Sequence, residues 1–153
     1  MKNLLQPETA EEIRRRLMLL RPDSVRQWGS MSVTQALAHC TCSVQMAMGI
    51  IRPKREPFPT NIVGSLYKPL FFRREIPFRR NSQTAPELLS AHSTACDFES
   101  ERTKLLTTIN SFITTAPPSR PQYSHAFFGR LTSQQWAALV YRNLDHHLRQ
   151  FDV

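Results

Sequence analysis

The stretch Leu131–Phe151, LTSQQWAALVYRNLDHHLRQF, decides how this chain is read. Thr132 stands three residues ahead of Gln135, the reciprocal pair of a capping box, and Leu131 with Trp136 occupies the positions of a hydrophobic staple. From Trp136 onward, Leu139, Val140, Asn143, Leu144, His147 and Phe151 recur at helical spacing and define one inward face. Two polar residues interrupt it, Asn143 and His147. Four apart, their side chains stand one above the other and can share a ligand. This helix is expected to be the most buried of the protein. The adjacent His146 lies about 100° around the helix axis. It is assigned to the outer side, towards Arg142, Arg149 and Gln150, with surface or supporting duty. Asp145 precedes Arg149 by four, which predicts a solvated ion pair.

Working back from that helix, the same signals recur. A helix is predicted over Ala10–Leu20, with Thr9 and Glu12 as its capping box, Ile13, Leu17 and Leu20 as its stripe, and Pro22 as its stop. Arg14, Arg15 and Arg16 then fall mostly on the wet face, with Glu11 and Glu12 four residues ahead of Arg15 and Arg16. A second helix starts after Ser32, with Gln35 as its capping partner, and runs to about Met48 before Gly49. Val33, Leu37, Cys40, Val44 and Met48 form its apolar ridge, and His39 sits beside that ridge among small residues. A third long helix is predicted from Cys96 to Thr114, with Phe98, Leu105, Ile109 and Phe112 inward, ended by Ala116-Pro117-Pro118.

Between the second and third of these lies a Pro-rich crossover. Residues 50–90 hold six prolines, with a short helix predicted around Asn61–Tyr67 and another after Pro86. A structureless connection of that length is unusual in a compact domain. It is therefore expected to pack through Ile62, Val63, Leu66, Leu70, Phe71 and Phe72. No segment shows sustained period-two alternation, so the fold class is all-α: four amphipathic helices in a bundle with one long crossover.

Composition narrows the function. A chain of 153 residues suits one domain, 1–153, and 41% hydrophobic residues are enough for a core. No apolar run approaches the roughly 18–20 residues of a membrane span, so no membrane partner is expected. The early acidic residues in MKNLLQPETAEEI speak against a secretory signal and for a cytoplasmic protein. Cys40, Cys42 and Cys96 make a poor disulfide framework. On a helix, Cys40 and Cys42 point roughly 200° apart, so they cannot grip one ion together and are expected to be reduced, small hydrophobes. The net charge of +8 is concentrated in residues 52–80, where eight basic side chains face Glu56 and Glu75. Phe58, Phe71, Phe72 and Phe78 in that segment could stack on bases, but no nucleic-acid motif accompanies them. A solvated basic segment with aromatics packed inward is the favoured reading over a nucleic-acid partner.

The candidate chemistry rests on histidine. Of His39, His92, His125, His146 and His147, the helical patterns turn His39 and His147 inward from two helices. The position four before His147, residue 143, is the natural third. Three imidazoles would leave an open coordination position for water or substrate. Here residue 143 is Asn, a neutral amide oxygen in place of an imidazole. Two His and one Asn can hold a divalent ion weakly, or form a hydrogen-bonded polar cluster with a trapped water. His125, in the loop before the final helix, is a weaker candidate. It could serve as a substitute ligand or acid–base group, or as a structural residue capping backbone carbonyls.

The C-terminal block, His125-Ala126-Phe127-Phe128-Gly129-Arg130-Leu131-Thr132 with Trp136 and Leu144-Asp145-His146-His147-Leu148-Arg149-Gln150-Phe151, resembles an uncharacterised family of the DinB/YfiT-like superfamily. Trp28, Met31 and Gln35-Ala36-Leu37-Ala38-His39-Cys40 resemble the same family's second helix. The resemblance implies a DinB-like four-helix bundle with a three-histidine metal site, matched here by His39 and His147, with Asn143 departing from the pattern. It implies a divalent transition metal (zinc, nickel or iron) and, from the wider superfamily, thiol-dependent transferases and isomerases that use a low-molecular-weight thiol. Two function classes follow. One is a metal-dependent enzyme acting on a small molecule, and the other a non-catalytic bundle that binds a small ligand or a protein partner.

Overall fold

The computed structural model describes residues 1–54, 56–74, 76, 78–81, 97–115 and 123–153. Among these lie five helices: α1 (Pro7–Leu19), α2 (Val33–Ala47), α3 (Thr60–Arg73), α4 (Phe98–Thr115) and α5 (Ser133–Gln150). A two-stranded hairpin of β1 (Ser124–His125) and β2 (Gly129–Arg130) precedes α5, pairing Ser124 with Arg130 and His125 with Gly129. The expected helix after Pro86, the expected start at Cys96, the stop at Pro117-Pro118 and His92 fall outside the described residues. None of the described helices is long and apolar enough to cross a membrane.

Two of the three expected capping boxes form. Ser32 and Thr132 each accept from the backbone N–H of the residue three on, while Gln35 and Gln135 reach back to the cap's own N–H. Each satisfies two of the donors that a helix start leaves open. α1 differs from its prediction. It begins three residues earlier, with Pro7 in the first turn and Gln6 as an N-cap that makes no side-chain bond. Proline's fixed φ suits that position, and Thr9 is buried within the helix, its hydroxyl donating to Gln6 Oε1 at 3.3 Å. Just ahead of α4, the Asp97 carboxylate accepts from Ser100 N at 2.7 Å.

α2 lies at the centre, packed against α4 and α5, and α1 packs on α5. Ile13, Leu17, Val44, Leu105, Ile109, Phe112, Trp136, Val140 and Leu144 are essentially removed from solvent. α2 buries 10 of its 15 residues and α5 buries 11 of its 18, so the final helix shares the interior with α2 rather than dominating it. Small residues on both, Ala36, Ala47, Ala137 and Ala138, let the two backbones approach. Cys40 and Cys42 are free thiols, and burial pushes both pKa values up.

Three polar expectations are corrected. Arg16 is not on a wet face. Its guanidinium donates to Asp145 Oδ1 at 2.8 Å and to the carbonyl of Val153 at 2.7 Å, with both charged side chains largely covered. Asp145 also meets Arg149 at 3.0 Å, so the pair expected to be solvated belongs to a network that ties α1 to α5. Arg142 and Gln150, assigned to the outer side of α5, are buried.

The crossover departs furthest from its reading. The expected short helix is the 14-residue α3, which runs through Pro69. Phe71 and Phe72 are buried as expected, but Ile62, Val63, Leu66 and Leu70 face outward. α3 is held instead by the hairpin. A Cβ on Gly64 would lie 2.1 Å from the carbonyl oxygen of Phe127, so only glycine permits this approach. Lys68 Nζ donates to the carbonyl of Arg130 at 2.9 Å. The rings of Phe71 and Phe128 stand 4.9 Å apart. From α5, Arg142 donates to the carbonyl of Phe71 at 3.1 Å and lies over that ring at 4.7 Å.

Candidate functional site

The helix pair, the α3–hairpin unit and the segments 28–31 and 78–81 line an open-mouthed cavity of about 1080 Å³. Its wall is rich in rings: Trp28, Tyr67, Phe71, Phe78, Phe127, Phe128 and Trp136. Both tryptophans of the chain are among them. Four of the described histidines, His39, His125, His146 and His147, line it too, with Asn143 and Gln150. No carboxylate appears on this wall among the described residues.

The structure brings His39, Asn143 and His147 together. His39 is buried on α2, and its ring stands 4.7 Å from that of His147 on α5, edge to face. Asn143 Nδ2 approaches His39 Nε2 at 3.5 Å. That separation is at the outer limit of a hydrogen bond, so the amide and the ring are in contact. Asn143 Oδ1 is buried with no hydrogen-bond partner.

His147 is oriented by a residue that the sequence reading placed on the wrong side. Gln150 Oε1 meets His147 Nδ1 at 2.9 Å, while Gln150 Nε2 donates to the carbonyl of Trp28 at 2.7 Å. The second bond fixes which end of the amide is oxygen. His147 Nδ1 must therefore carry the proton, which leaves the lone pair of the uncharged ring on Nε2. Gln27 N donates to the carbonyl of Gln150 at 2.7 Å, and a Cβ on Gly29 would lie 2.7 Å from Gln150 Nε2. The segment before α2 is thus moulded onto this one residue, its carbonyl and its side chain. The available signal was spacing: Gln150 follows His147 by three and shares its face.

His146 is not turned away. Half-buried on the cavity wall, it sets its ring edge-on to Trp28 at 5.6 Å and near Phe78 at 6.2 Å. Burial lowers its pKa, helped by Arg80 and Arg149 and opposed by Asp145. Arg80 itself lies 4.1 Å over the Trp28 ring.

His125 has a structural task, of opposite sense to the one expected. Its Nδ1 accepts from the backbone amides of Phe127 and Phe128, at 3.1 and 3.2 Å, instead of the ring capping carbonyls. The lone pair is engaged in the hairpin turn, and the ring packs between Phe128 and Trp136. Burial lowers its pKa to about 4.

The arrangement is that of a helical protein with an aromatic-walled cavity and a floor of imidazole and amide groups. The chain belongs to the family described as protein of unknown function (DUF1569), whose model matches residues 1–153. No curated protein and no solved structure matches it.

Proposed function

We propose that this chain is a DinB-like four-helix bundle that admits a small organic molecule to the cavity and holds a divalent transition metal weakly on the cavity floor. The observation that carries the proposal is the Gln150 bridge. It sets the His147 tautomer with an Nε2 lone pair, beside the second imidazole of His39, whose ring centre is 4.7 Å away. Holding a ligating ring by its other nitrogen is how metal-binding histidines are oriented.

The donor set fits such an ion, one imidazole short. Two imidazole nitrogens and the partnerless Asn143 Oδ1 suit zinc, nickel or ferrous iron, but an amide oxygen binds them more weakly than a third imidazole. When bound, the ion would supply Lewis acidity to activate water or a thiol, and a low-molecular-weight thiol is the co-substrate that the family resemblance implies. His39 and His147 would hold the ion, Gln150 would keep His147 in register, and the rings of the wall would exclude water from the apolar part of a ligand.

The alternative, a non-catalytic bundle that binds a small ligand, is favoured by one observation. Among the described residues no group of three or more His, Cys, Asp or Glu side chains converges as a metal site. Elemental analysis and calorimetric titration with Zn²⁺ and Ni²⁺ separate the two. The wild type is expected to hold less than one equivalent. Asn143→His should raise affinity by several kcal/mol, since it completes a three-imidazole face. His39→Ala in that background should abolish the gain, and His146→Ala should leave it nearly intact. No gain on Asn143→His would remove the metal reading and leave the alternative.

A further inference from the structure

We propose that the outer face of α3 is a docking surface for the anionic surface of a lipid bilayer. Ile62, Leu66 and Leu70 recur every four residues, with Val63 beside them, and are 48%, 75%, 41% and 55% exposed. Phe58, just ahead of the helix, is 77% exposed. Nothing in the cavity or the hairpin explains these side chains. The inner face of the same helix, Gly64, Tyr67 and Phe71, makes those contacts. An exposed apolar stripe of this extent marks an interaction site.

Charge chooses the occupant. Lys54 lies before the stripe and Arg73 and Arg74 close it on its own face, all three exposed. Glu56 is the one exposed acid among the described residues of 52–80. A second copy docking by this face would bring like charges together around its own axis, which costs affinity. A bilayer carrying anionic lipid complements both features. Apolar side chains enter the boundary between headgroups and acyl chains, while long basic side chains reach back to lipid phosphates. At 14 residues, α3 is about 21 Å long, too short to span. It would lie in the plane of the interface, which requires no membrane-crossing segment. The inference is independent of what the cavity binds.

Flotation of the full chain with vesicles tests it. Binding is expected to phosphatidylcholine vesicles containing about 30% phosphatidylglycerol and to be weak on phosphatidylcholine alone. It should fall steeply as salt rises from about 0.1 M to about 0.5 M. Leu66→Glu should reduce binding by about tenfold or more, with an unchanged helical circular dichroism spectrum, since Leu66 is solvent-facing. Arg73→Ser with Arg74→Ser should reduce it by on the order of tenfold through charge alone. No binding to the anionic vesicles, equal binding to both vesicle types, or insensitivity to Leu66→Glu would overturn the proposal. So would a solution dimer dissolved by Leu66→Glu, which would assign the face to a second copy.

Discussion

The α2–α5 pair and the α3–hairpin unit line the same cavity but are held by different physics. The helix pair rests on distributed burial. Each helix opens with a reciprocal cap, small residues bring the backbones close, and many apolar side chains share the load. The α3–hairpin unit rests on single devices: one glycine against a carbonyl, one imidazole holding two amides, one arginine over a ring. The first kind of structure degrades gradually under substitution, and the second fails at points.

Acid offers the largest test of this contrast. The unfolded chain protonates His125 as pH falls through the ordinary 6.5, but the native protein resists until about 4. Unfolding takes up a proton throughout that window, so stability falls on acidification from 6.5 to 4, by up to about 3 kcal/mol. Above 6.5 the residue contributes no slope. Urea midpoints measured against pH should show the decline, and His125→Gln should flatten it. His146, also lowered by burial, would leave a residue of the same sign. An undiminished slope in the variant would remove the hairpin from the account.

A smaller effect is expected from Gly64→Ala. Helix propensity alone favours alanine by about 1 kcal/mol, but the new Cβ meets the Phe127 carbonyl. Overpacking of that kind costs about 1–3 kcal/mol. Amide hydrogen exchange should quicken in α3 and the hairpin while α2 and α5 keep their protection. Equal loss everywhere would mean that the two regions open as one. The smallest change should come from Ser32→Ala or Thr132→Ala, about 1 kcal/mol each. Either should shift the thermal midpoint without loosening the α3 side.

The same contrast explains what could be read from residues alone. Capping and stripe periodicity are local, and they gave α2, α5 and most of α4, together with the inward turn of His39, Asn143 and His147. α3 gave no such signal, because its apolar residues lie on both sides and no side chain caps its start. Its length and its outward leucines were therefore misread. Arg16, Arg142 and Gln150 were misplaced for a related reason. Polar side chains default to solvent when only their own helix is considered, and their burial here depends on partners 71 to 137 positions away in the chain. Thr9 misled differently, offering a capping pattern where Pro7 had already begun the helix.

That both tryptophans stand on the cavity wall has a spectroscopic consequence. The intrinsic fluorescence of this protein comes from one compartment, with Trp136 sealed beside the His125 ring and Trp28 bracketed by His146 and Arg80. A molecule entering the cavity changes the surroundings of both emitters, whereas a membrane under α3 touches neither directly. Emission thus distinguishes occupancy of the interior from docking of the exterior, without a label and in a single sample.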